Sequence, residues 1–99
     1  MIIPSKVKIG PHTYKVKYEK HFSSDHNALG QTVYERCVIK LDPDQVPSQL
    51  EDSFIHEVLH AIHDQIHFIG SNKDEVEDGI CKLAPALLNL LKENKNLFR

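Results

Sequence analysis

A chain of 99 residues, 40% hydrophobic and 26% charged, has the composition of one soluble domain, with no room for a second. A formal net charge of −2 excludes a globally basic nucleic-acid binder, and two cysteines, Cys37 and Cys81, cannot frame a disulfide-stapled scaffold. The unusual count is histidine: 7 in all, four of them between His56 and His67.

The opening Met1-Ile2-Ile3-Pro4-Ser5-Lys6 has no apolar core and no small-residue cleavage site, so no secretory signal is expected. The longest apolar stretch, from Leu83 to Leu91, is broken by Pro85 and Asn89. It is about half the length of a membrane span. With both cysteines reduced, a cytoplasmic protein without membrane or nucleic-acid partners is expected.

Lys6-Val7-Lys8-Ile9 and Tyr14-Lys15-Val16-Lys17-Tyr18 alternate polar and apolar around Gly10-Pro11-His12. This period of two predicts a hairpin with Val7, Ile9, Tyr14, Val16 and Tyr18 on one face and lysines on the other. Residues 21–27 are polar and read as a loop. Gly30-Gln31-Thr32-Val33-Tyr34 and Cys37-Val38-Ile39-Lys40-Leu41 predict two more strands, with Glu35-Arg36 as their turn. Asp42-Pro43-Asp44 ends the strands.

The second half has a helical period. Ser48-Gln49-Leu50-Glu51 has the form of a capping box. Leu50, Phe54, Val58, Ile62 and Ile66 then recur every four residues, widened by Ile55 and Leu59, and Gly70 is placed to end the helix. Ser71 or Asn72 caps a second helix with Val76, Ile80, Leu83, Leu87 and Leu91 as its core stripe. Pro85 should kink or restart that helix. The short connection makes the helices antiparallel neighbours. The expected order is ββββαα, an α+β domain in which two helices pack on an antiparallel sheet of about four strands. Charge follows the same division: residues 1–40 carry +7 and −3, residues 41–99 carry +5 and −11. The lysines of the first half read as the solvated face of the hairpin.

His56-Glu57-Val58-Leu59-His60 is an H-E-x-x-H motif inside the first predicted helix. Histidines four apart share a helix face and can both reach one Zn²⁺. A glutamate next to the first histidine lies about 100° round the helix, able to face the metal's water without being a ligand. A catalytic zinc site needs a third protein ligand. The pattern with a third histidine requires Gly at 63 and His at 66, where this chain has His63 and Ile66. The alternative is an acid of the second helix: Asp74, Glu75, Glu77 or Asp78. Glu77 borders the stripe through Ile80 and is preferred to Glu75, which lies farther round.

Together, His56-Glu57-Val58-Leu59-His60 and Glu77-x-x-Ile80-x-x-Leu83-Ala84 resemble the gluzincin metallopeptidases. The chain is most similar to the very small zincin-like domains of bacteria and their phages, akin to the ImmA/IrrE type. The resemblance covers most of residues 1–99 and implies a single minimal metallopeptidase domain. Zn²⁺ would be held by His56, His60 and Glu77, with Glu57 as general base. A peptide or protein substrate would lie antiparallel along an edge strand at 37–41. Where larger gluzincins often place an aspartate that orients a histidine, this chain has Cys81, so that support must come from elsewhere, such as Asp52 or a main-chain carbonyl. His63, Tyr34 or another tyrosine could stabilise the oxyanion. The alternative function is a non-catalytic zinc-binding module that engages a partner protein. Of the other histidines, His67 suits a helix C-terminus, and His12, His21 and His26 fall in turns or loops. Both cysteines read as small packing residues, with Cys81 close enough to Glu77 to approach the metal.

Overall fold

The computed structural model describes residues 2–20 and 29–96; the loop expected over 21–27 lies outside them. Four strands precede two helices: β1 (Lys6–Ile9), β2 (His12–Tyr18), β3 (Gly30–Val33), β4 (Val38–Leu41), α1 (Pro47–Ile66) and α2 (Lys73–Glu93). The domain is α+β in the expected order. No helix among the described residues is long and apolar enough to cross a membrane.

The sheet order is β1-β2-β4-β3. β1 and β2 form the antiparallel hairpin, with Val7 opposite Tyr14. β4 then runs parallel to β2, with Val16 opposite Ile39, and antiparallel to β3, with Thr32 opposite Ile39. The sheet is therefore mixed, which corrects the all-antiparallel expectation. It also corrects the expected edge strand at 37–41: β4 is bonded on both flanks, and among the described strands β3 is the edge on that side and β1 the other. The physical reason lies in composition. Ile39 and Leu41 are fully buried, so the most apolar strand takes the centre, where both neighbours and the helices cover it. Between β3 and β4, Tyr34–Arg36 makes one 3₁₀ turn, and Cys37 leaves it in the left-handed region at φ 52°. This turn begins where the third strand was expected to continue.

Alternation sends Ile9, Tyr14 and Val16 into the core as expected, while Tyr18 at the strand end stays half exposed. α1 lies between the sheet and α2, burying Phe54, Ile55, Leu59 and Ala61. Its start differs from the expected capping box. Val46 is the N-cap without a side-chain hydrogen bond, and Pro47, whose φ is preset for a first helical turn, opens the helix. Glu51 turns inward and accepts from Lys92 Nζ at 2.9 Å, so it is not available to cap.

α1 stops at Ile66, with His67 in the left-handed region at φ 48°, rather than at Gly70. The earlier stop lets Ile69 fold back against the core, over Gly79 of α2, where a Cβ would collide with the isoleucine side chain. Asn72 caps α2, accepting from Glu75 N at 2.9 Å. α2 buries Ile80, Ala84 and Leu88, with Leu83 on its exposed side. The helix continues through Pro85: it forgoes the bond to the Cys81 carbonyl, but strong helix formers on both sides and packing against α1 carry it on.

Candidate metal centre

The motif helix and the first turns of α2 meet at one carboxylate. Glu77 places Oε1 2.9 Å from His56 Nε2 and Oε2 2.8 Å from His60 Nε2. The two imidazoles lie 4.9 Å apart between ring centroids, as a pair one helical turn apart should. Both histidines are about four-fifths buried, at 18% and 20% side-chain exposure, whereas Glu77 is half exposed. Glu75 is engaged elsewhere: its Oε1 accepts from Ser71 N and Oγ, each at 2.8 Å. These bonds hold its carboxyl below the usual range. Glu77 is thus the acid brought to the histidines. Burial opposes its charge, but the two imidazoles and the Cys81 thiol outweigh this and lower its pKa.

Glu57 faces the sheet. It is buried at 7% exposure, and the Thr32 hydroxyl lies 2.7 Å from its Oε1 and 3.0 Å from its main-chain oxygen. Burial raises the Glu57 pKa, against the hydrogen bond from Thr32 and the nearby imidazoles. The register explains the contact: Gly30 and Thr32 share with Leu41 and Ile39 the face that looks at α1. A Cβ on Gly30 would lie 3.0 Å from Glu57 Cγ, 3.2 Å from its Oε2 and 3.3 Å from Leu41 Cδ2. Gly30→Ala is therefore expected to destabilise the fold by about 1–3 kcal/mol through overpacking and to displace Glu57. The checks are the unfolding midpoint and, in parallel, the loss of any peptidase turnover.

These groups floor a groove of about 490 Å³ walled by Leu29, Gly30, Thr32 and Tyr34 on one side and by His56, His60 and Glu77 on the other. The other edge of β3 pairs with no strand among the described residues. A second hollow of about 730 Å³, beside the C-terminal end of α1, shares Tyr34, His60 and Glu77 with the first. Tyr34 stands where the two meet. Burial, then the charges of Asp64 and Glu57, push its pKa up to about 12, so its hydroxyl remains a donor at neutral pH. His63 lines only the second hollow, and its Nδ1 accepts from Ile69 N at 3.3 Å. That bond ties it to the turn after α1 and away from Glu77.

Five positions lining this groove are not singled out by the sequence: Leu29, Gly30, Gln31, Thr32 and Ser53. Thr32 had a readable signal, a polar residue at an inward position of an alternating strand. Asp52, weighed as a support for histidine, lines the groove one turn before His56. Its Oδ1 is buried and has no hydrogen-bond partner among the described residues.

The donor set suits a divalent transition metal. A carboxylate only accepts, so both Nε2 atoms donate to Glu77 in this arrangement. The same nitrogens, unprotonated, aim two lone pairs and a carboxylate at one small volume. Two imidazoles and one carboxylate are the ligand types of an open catalytic zinc site. The orphaned Asp52 oxygen next to His56 is an acceptor of the kind that holds a ligating imidazole by its other nitrogen. Comparison of the chain with protein-family models, with curated proteins and with solved structures found no match.

Proposed function

We propose that the protein is a zinc-dependent peptidase of the minimal gluzincin kind, cutting a peptide or an exposed protein segment. The observation that carries the reading is the convergence of His56, His60 and Glu77 beside a buried, hydrogen-bonded Glu57 at the floor of a groove with a strand edge for its wall.

His56, His60 and Glu77 would hold the ion. When bound, zinc polarises a carbonyl and makes water acidic enough to lose a proton near neutral pH. Glu57 is the group placed to take that proton and later deliver it to the leaving amine. Its buried setting favours the protonated state at each turn, and the Thr32 hydroxyl fixes its orientation. Tyr34, protonated and at the junction of the two hollows, is the donor suited to the developing negative charge on the scissile oxygen. The edge of β3 that pairs with no strand among the described residues offers main-chain donors and acceptors to an extended substrate, which would run antiparallel to Gly30–Val33 and pass over the proposed metal ligands. This moves the alignment surface from the strand first expected, 37–41, to its outer neighbour.

Protein purified without a metal-affinity tag is expected to contain stoichiometric zinc and to cleave members of a broad peptide library. Chelation should abolish cleavage and zinc should restore it. Bound zinc with no cleavage across the library, by the wild type or by Cys81→Ser, would favour the interaction-module reading. Absence of zinc, with no stabilisation on adding it, would remove both.

A further inference from the structure

We propose that Cys81 is a fourth, displaceable protein ligand of the metal held by His56, His60 and Glu77, closing the site in its resting state. The proposal rests on the zinc reading and adds a means of regulating it.

Cys81 sits one turn after Glu77 on α2, so the two side chains share a face. Its Sγ lies 3.5 Å from Glu77 Oε1. Ligand atoms of His56, Glu77 and Cys81 all fall within 4.8 Å of one another. Zinc bonds of about 2.0 Å to oxygen and 2.3 Å to sulfur, at the tetrahedral angle, set oxygen and sulfur about 3.5 Å apart. The thiol and the carboxylate oxygen thus already have the spacing of two ligands of one ion. Zinc accepts sulfur, nitrogen and oxygen donors together, and a thiolate is the strongest donor of this set.

The approach is also clear of the substrate path. Cys81 lines neither hollow, so its sulfur reaches Glu77 from the α2 side and leaves the β3 wall free. The consequence is chemical. Four protein donors fill a tetrahedral zinc and leave no position for water, as in structural sites, whereas a catalytic site keeps one open. Breaking the sulfur–metal bond, with a proton taken up by the departing thiolate, reopens that position. Because Cys81 is exposed, solvent or a thiol reagent can reach it. The competing role, a thiol that only donates a hydrogen bond to Glu77, puts no sulfur on the metal.

Cobalt(II) is the probe that separates these roles, because a thiolate ligand gives it a near-ultraviolet sulfur-to-metal charge-transfer band. The full chain, loaded with cobalt, is compared with Cys81→Ser and Cys37→Ser. The expected result is a band in the wild type and in Cys37→Ser, and none in Cys81→Ser. That variant should still bind cobalt stoichiometrically, at least roughly tenfold more weakly. Stoichiometric cobalt without the band in the wild type would overturn the proposal and leave the three-ligand centre standing, as would a band that persists in Cys81→Ser. A wild type that binds no cobalt would bring down the metal reading and this proposal with it.

Discussion

Replacing Glu57 with glutamine is expected to lower peptide turnover by about 10²–10⁴-fold, the usual contribution of a positioned base, with zinc content unchanged. Among the described residues the Glu57 carboxylate makes no hydrogen bond to His56, His60 or Glu77; its partner is Thr32, 2.7 Å away. Glutamine keeps that hydrogen bond and the side-chain volume, and removes a charge that burial disfavours. The variant should therefore unfold at the same temperature as the wild type or a higher one. Metal analysis, a melting curve and turnover on one sample check all three parts. Equal turnover by the two proteins would sink the general-base assignment. A fall in zinc content alongside turnover would instead place Glu57 among the ligands.

Periodicity carried most of the fold in advance. The hairpin, the two later strands and the two helices were legible because each buries one regular face, and Ile9, Tyr14, Val16 and Ile80 are buried as their spacing requires. Strand order was not legible. Alternation says which side of a strand is buried, not which strand lies beside it. β3 lies outside β4 and not beside β2, and a single sequence holds no register information across the residues between β2 and β3. The cap of α1 failed for a related reason. Ser48 and Glu51 have the right spacing for a local motif, but Glu51 finds a tertiary partner in Lys92, 41 positions away, and a distant contact overrides a local preference.

The site divided along the same line. His56, Glu57 and His60 are one motif on one helix, so local geometry sufficed to group them. Glu77 could be inferred because it borders the inward stripe of α2 and Glu75 does not. Thr32 and Gly30 enter only through the sheet, where β3 runs beside the motif helix, and the same placement brings Tyr34, one of several candidate donors in the sequence, to the groove. The buried Asp52 oxygen and the Cys81 thiol are the features of this site that the H-E-x-x-H motif does not itself announce. An exposed thiol stands one turn beyond Glu77, and a carboxylate oxygen with no partner among the described residues lies on the opposite helix.

His60→Ala is expected to remove most of the thermal response to zinc, because the motif then keeps one imidazole beside Glu77 and the proposed Cys81 ligand. A ligand that binds only the folded state stabilises it by about 2.7 kcal/mol at a concentration 100 times its dissociation constant. For a domain of this length each kcal/mol moves the midpoint by roughly 4–8 °C, so the wild type should gain about 10–20 °C. Removing His60 leaves His56 and Glu77 without the second imidazole of the motif, and Glu77 Oε2 loses its 2.8 Å partner. The metal-free variant should differ from the metal-free wild type by much less than that gain, because the His60 ring lies at the groove floor and outside the apolar core. Melting curves of both proteins, with and without zinc and after chelation, measure the two effects separately. A variant that still gains the full wild-type shift would show that zinc binds elsewhere. A variant unfolded without metal would show that His60 supports the helix pair itself, and His56→Ala and Glu77→Gln would then decide whether the zinc response depends on the three residues that meet here.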